Sequence, residues 1–95
     1  MYVRVVRFSG ASADQIEGVV SRIKEHDGPP PGVPARRLSV LFDADQGTAV
    51  VLQQFETAED MAAGAAVLAA MDSSETPGTR VSVDACEVML DVTPA

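Results

Sequence analysis

The sequence predicts an α+β fold with the element order βαββαβ, in one domain that spans residues 1–95. Four runs have the composition of β-strands. One helical stretch lies between the first and second runs, and another lies between the third and fourth. A short connection that ends at Gly47 joins the second and third runs as a hairpin. Right-handed crossovers then give a four-stranded antiparallel sheet of order 4-1-3-2, with both helices on one face. This is the ferredoxin-like arrangement.

The first strand is predicted over Tyr2–Phe8, where β-branched and aromatic residues are interleaved with arginines. A helix follows, because Ser12 and Gln15 have the spacing of a capping box. Its buried stripe consists of Ile16, Val19, Val20 and Ile23. The helix is expected to end near Gly28, which can adopt the left-handed conformation that closes a helix.

The segment Pro29–Pro34 can hold neither a helix nor a sheet ladder, so we interpret it as an extended crossover. A proline-rich ligand for another protein is the alternative. The second strand is predicted over Ala35–Phe42, and Asp43–Gly47 forms the hairpin connection.

The third strand, Ala49–Phe55, is apolar on both alternating faces as far as Gln53, which is typical of a central strand. Thr57 is expected to cap the second helix, which then continues to Met71. Negative charge at Glu59 and Asp60 suits the positive end of that helix.

The last strand is predicted over Arg80–Val92, after a polar loop at Asp72–Thr79. Its apolar residues first occupy odd-numbered positions, at Val81, Val83 and Ala85. They then occupy even-numbered positions, at Val88, Leu90 and Val92, so they would point to the other face of the sheet. A bulge near Cys86-Glu87 would explain the change, as would a far half that packs on a different surface.

Charge and composition exclude several classes of partner. Seven Lys and Arg against fourteen Asp and Glu give a net charge of −7, which repels both a nucleic-acid backbone and an anionic membrane. No apolar run approaches the length of about 20 residues that spans a bilayer. Cys86 is a lone cysteine, and the sequence from Met1 has no signal-peptide pattern, so we expect a cytoplasmic protein.

Two helices cover only one face of a four-stranded sheet, yet the first and third predicted strands are apolar on both faces. An uncovered apolar sheet face of several hundred square ångströms is unusual for a monomer. We therefore expect a homodimer that forms through the sheet face, with the last strand reaching across to the partner.

The length, the element order and the runs YVRVVRF, FETAED and EVMLDV resemble the dimeric α/β barrel proteins, specifically small antibiotic biosynthesis monooxygenase-like members. The resemblance implies a ligand pocket between the helices and the sheet of each subunit. Some members oxidise polycyclic aromatic substrates without metal or flavin, and others degrade haem with an Asn, a His and a Trp. This sequence contains no Asn and no Trp, so the haem-degrading residue set is absent.

No residue set in the sequence identifies a reaction, a metal or a cofactor. His26 has only Glu25 and Asp27 beside it, and a cationic helix end explains it better than a metal ligand. Cys86 is interpreted as a packed or half-exposed thiol rather than a nucleophile.

Ligand-binding candidates come from polar or aromatic residues in otherwise apolar strands, and they are Tyr2, Arg4, Arg7, Gln53, Phe55 and Arg80. The three arginines could form a cationic patch for the carboxylate or phenolate of a small ligand. The simpler interpretation is cross-strand pairing with Asp84, Glu87 or Asp91. Gln53 could orient a substrate, although a glutamine there more often marks where a strand leaves the core.

Three functional hypotheses remain open at this point. The first is a homodimer that binds an apolar or aromatic small molecule, with at most a cofactor-independent monooxygenase-like activity. The second is a non-catalytic dimerisation or regulatory module without a ligand pocket. The third is a small subunit that modulates a partner enzyme.

Overall fold

A computed structural model describes residues 1–25, 32–69 and 77–94 of the chain. The elements are β1 (Tyr2–Ser9), α1 (Ala13–Glu25), β2 (Arg37–Asp43), β3 (Thr48–Phe55), α2 (Ala58–Ala69) and β4 (Thr79–Glu87). The strands form one antiparallel sheet of order β2-β3-β1-β4. The predicted ferredoxin-like α+β fold is confirmed.

The sheet has a covered face, on which both helices pack, and an open face. Val6, Phe8 and Ala49 form the buried core of the covered face, and Ile16 of α1 packs against this core. Phe55, also on the covered face, is fully buried against α2. The open face carries the residues of opposite parity, among them Val3, Val5, Leu41, Val50 and Leu52. The sheet is therefore apolar on both sides, as the sequence predicts.

Each helix begins where a side chain caps its first turn. The backbone N–H of Gln15 donates to Ser12 Oγ at 3.3 Å, and the N–H of Ser12 donates to Gln15 Oε1 at 3.0 Å. The N–H of Asp60 donates to Thr57 Oγ1 at 3.0 Å. Both predicted caps are confirmed, since each hydroxyl accepts from an N–H that has no partner inside the helix.

The β2–β3 hairpin is closed by the side chain of Asp43. Its Oδ1 accepts from the backbone N–H of Asp45 at 3.1 Å and of Gln46 at 3.3 Å. Gly47 follows with a φ of +65°, a conformation that glycine adopts without steric cost. These contacts fix the register in which Val40 lies opposite Val51, so that both residues are on the covered face.

The last strand is shorter than predicted and its irregularity lies elsewhere. β4 ends at Glu87 instead of Val92, after which the N–H of Val88 donates to the carbonyl of Met1 at 2.9 Å. Glu87 lies opposite Tyr2, the first residue of β1, and β1 is the one strand in the described sheet with which β4 pairs. The register shift lies opposite Arg7 and Phe8, where Val81 is the extra residue, and not near Cys86-Glu87.

Several predictions fall outside the described residues. They concern His26, the helix end at Gly28, the prolines 29–31, Met71 and the greater part of the loop at residues 72–79. The second strand begins at Arg37 and not at Ala35, although the N–H of Arg36 already donates to the carbonyl of Gln54 at 2.7 Å. Neither of the two helices in the described ranges is long and apolar enough to cross a membrane.

Candidate functional site

A buried guanidinium lies at the middle of the covered face. Arg4 of β1 is directly opposite Gln53 of β3, and their side chains are 8% and 3% exposed. Arg4 Nη1 donates a hydrogen bond to Gln53 Oε1 at 3.2 Å. Alternate residues of a strand point to the same face of the sheet. Arg4 is therefore on the face of Val6, and Gln53 is on the face of Phe55.

The charge of Arg4 is not balanced by a carboxylate within residues 1–25, 32–69 and 77–94. The expected cross-strand ion pair is therefore wrong for Arg4. The residue opposite it on β4 is Ala85, and Asp84 lies opposite Val5 on the open face. Burial lowers the pKa of the Arg4 guanidinium below its usual value, and the positive charge of Arg80 lowers that pKa further.

We define the Arg4 cluster as Arg4, Gln53 and Arg80. Arg80 lies opposite Phe8, so the register places it on the covered face, where its side chain is exposed. Tyr2 and Phe55 are opposite each other, one position along the same face from Arg4 and Gln53. Five of the six predicted ligand-binding residues thus share the covered face.

Arg7 is the exception, because it alternates with Val6 and Phe8 along β1 and therefore lies on the open face. It lies opposite Val50 of β3 and Ser82 of β4, and its side chain is exposed. A single patch that combines Arg7 with Arg4 and Arg80 is consequently wrong. The sheet itself separates the two groups of charge.

An apolar strip of β4 next to the Arg4 cluster is left uncovered by the helices. Val83 lies opposite Val6 and is 42% exposed, and Ala85 lies opposite Arg4 and is also exposed. We call this pair of residues the β4 strip. It places an accessible apolar surface beside the buried guanidinium.

A pocket of about 360 Å³ opens on the other side of the sheet, at the hairpin end of the open face. Leu41 and Val50, which lie opposite each other, contribute its apolar part, and Arg7 contributes a cation. Its remaining lining residues are Phe42, Asp43, Gln46 and Thr48. This position differs from the one between helices and sheet that the family resemblance implies.

Three further interpretations from the sequence concern a thiol, a metal site and the end of β3. Cys86 is a free, exposed thiol, opposite Val3 on the open face. No group of three or more His, Cys, Asp or Glu side chains is placed to hold a metal ion among the described residues. Gln53 is buried and does not mark where β3 leaves the core, so that interpretation was wrong.

Among solved structures, the chain is similar to the structure of Rv0793 from Mycobacterium tuberculosis. The two share the fold. The similarity has a TM-score of 0.57 at 13% sequence identity, and it covers 98% of this chain and 100% of Rv0793. No protein-family model and no curated protein matches this chain. The likeness to Rv0793 supports the ferredoxin-like fold over the length of the chain, and at this identity it does not extend to function.

Proposed function

We propose that the protein is a homodimer of the antibiotic biosynthesis monooxygenase-like type whose subunits each bind an apolar or aromatic small molecule on the covered face. The observation that carries this proposal is the burial of Arg4 beside Gln53, with no carboxylate paired to it among the residues that the structure describes. An apolar residue would fill the same volume without the desolvation cost of a cation. Ligand binding explains a buried cation at this position better than packing does, because ionisable groups with perturbed pKa values cluster at functional sites.

The dimer is supported by the open face. Val5 and Leu52 lie opposite each other at its centre and are only partly buried, and Leu41 at its edge is 50% exposed. Apolar side chains left accessible at the centre and at the edge of one sheet face are typical of a protein interface.

The segment that follows β4 supports the same conclusion. Residues 88–94 form no helix or strand, and Met89, Leu90 and Val92 are 85%, 79% and 71% exposed. Large apolar side chains exposed in succession are typical of an interaction surface. In a two-fold dimer this segment can pack against the partner, which would bury the apolar side chains of the segment on both copies.

Sedimentation equilibrium tests the dimer. Leu52→Glu places a charge at the centre of the open face, and we expect it to produce a monomer that retains the wild-type circular dichroism spectrum. Ser21→Glu adds the same charge on the exposed side of α1 and is expected to remain dimeric. If Leu52→Glu fails to fold, Leu41→Glu at the exposed edge of the same face replaces it. A monomeric wild-type protein at micromolar concentration contradicts the proposed dimer.

Ligand binding is tested with an uncharged aromatic probe, 2-naphthylmethanol, followed by amide chemical shifts. We expect the shift changes to lie at the β4 strip and at Phe55, and not at the pocket beside Arg7. Absence of saturable shifts with this probe and with 2-naphthoate contradicts small-molecule binding on the covered face.

The alternative is a non-catalytic dimerisation module, and one observation favours it. The 360 Å³ pocket lies on the face that a partner would cover, so it can be part of an interface instead of a ligand site. A stable dimer that binds neither naphthalene probe would support this alternative. In either case we propose a cytoplasmic location, in keeping with the single, unpaired Cys86.

A further inference from the structure

We infer that the small molecule bound on the covered face is an anionic acid, whose carboxylate binds between Arg4 and Arg80 while its apolar body lies on the β4 strip. This inference rests on the proposed ligand-binding function and adds the chemical class of the ligand.

The first step is the surplus of positive charge on the covered face. Arg4 and Arg80 lie on this face of neighbouring strands, and neither forms an ion pair with a carboxylate among the residues the structure describes. Glu87, opposite Tyr2, is an acid on the same face and is exposed, and it makes no ion pair with either arginine. Two cations on one sheet face, each without a carboxylate partner in the described part of the chain, attract an anion.

The second step is the hydrogen-bonding capacity of Arg4. A guanidinium has five N–H donors in a planar fork, and one of them donates to Gln53 Oε1. Because the Gln53 amide oxygen is an uncharged acceptor, the positive charge remains available to a ligand. A carboxylate matches the fork with two parallel hydrogen bonds, which favours this anion over a spherical one such as chloride.

The third step is the energy of the guanidinium without a ligand. Burial and the like charge of Arg80 both lower the pKa of Arg4, so both disfavour its charged form in the unliganded protein. A bound carboxylate would relieve this repulsion as well as form new hydrogen bonds. The Arg4 cluster therefore interacts more favourably with an acid than with its neutral analogue.

The fourth step is the surface that would hold the rest of the molecule. Ala85 is directly opposite Arg4, and Val83 is one position further along the same face. Both are exposed, so the β4 strip accepts an apolar group without displacing a packed side chain. Arg80 lies beyond Val83 on the same edge strand. The ligand class that fits is a carboxylate on a small apolar or aromatic body.

The test compares two probes of the same shape, 2-naphthoate and 2-naphthylmethanol, by isothermal titration calorimetry. We expect the wild-type protein to bind the acid about tenfold more tightly, which is the effect of one charge-assisted hydrogen-bonded contact. Gln53→Glu supplies an internal carboxylate of the same shape next to Arg4 and is expected to abolish the preference. Arg80→Gln, at an exposed position, is expected to reduce it, and Lys24→Gln on the outer side of α1 is the matched control that retains it.

The outcomes separate this inference from the proposed function. Equal affinity of the wild-type protein for the acid and the alcohol overturns the anionic ligand and leaves small-molecule binding intact. Binding of neither probe overturns the proposed function itself. A preference for the acid that survives in Gln53→Glu also overturns the inference, because Arg4 would then not be the group that binds the carboxylate. Loss of the preference in Lys24→Gln overturns it as well, because general surface charge would then be responsible.

Discussion

Gly64 is the residue at which the packing of α2 on the sheet is closest. A Cβ atom there would lie 2.8 and 2.9 Å from ring carbons of Phe55 and 3.2 Å from Val33 Cγ1. Phe55 is fully buried, so its ring has little freedom to move away. We expect Gly64→Ala to lower the free energy of unfolding by about 1–3 kcal/mol, as overpacked cores do.

The matched control is Gly18, in the exposed part of α1. A Cβ atom at Gly18 meets nothing within 4 Å. Gly18→Ala should raise the free energy of unfolding by about 0.5–1 kcal/mol, since alanine loses less backbone entropy than glycine in a helix. Urea unfolding of both variants measures the contrast. Equal effects of the two substitutions would contradict the close contact at Gly64.

Single residues also show where sequence reasoning reaches its limit. The parity of Arg4 with Val6 was visible in the sequence, and it places the arginine on the same face as the core. Its partner was not visible, because Gln53 lies 49 residues away and only the register of β1 with β3 brings the two together. Arg7 lies three residues from Arg4 on the same strand and therefore on the opposite face, so the arginines of β1 do not form one patch.

At the scale of elements, the first turn of α2 depends on a side-chain cap. Thr57 Oγ1 accepts from the N–H of Asp60, and the last turn of α2 contains no basic residue to interact with the helix dipole. Thr57→Ala should lower the free energy of unfolding by about 1 kcal/mol, and Thr57→Ser should preserve it within a few tenths. Thermal unfolding followed by circular dichroism distinguishes them. A serine variant as unstable as the alanine variant would indicate that the threonine methyl group is what matters.

The elements that the sequence predicted best are those with local signals. The caps at Ser12 and Thr57 and the hairpin at Asp43–Gly47 depend on neighbours within a few residues, so they could be identified without the fold. The end of β4 could not. It coincides with the end of the pairing with β1, where Glu87 lies opposite Tyr2, which is a property of the sheet and not of the sequence near Glu87.

At the scale of the whole molecule, charge and apolar surface oppose each other. Two copies that each carry a net charge of −7 repel at long range, while an apolar open face favours their contact at short range. Added salt screens the repulsion between exposed charges and leaves apolar burial in place. The balance between these two effects can therefore be shifted by ionic strength alone.

We expect the proposed dimer to become tighter, by up to about tenfold in its dissociation constant, when sodium chloride is raised from about 0.05 M to about 0.5 M. Sedimentation equilibrium at several salt concentrations measures this, and the midpoint of thermal unfolding should rise with protein concentration at each of them. A dimer that weakens with salt would have a different origin. It would indicate ion pairs between subunits, in which Arg7 and Arg37 on the open face of one copy could pair with Asp43 and Asp84 on the open face of the other.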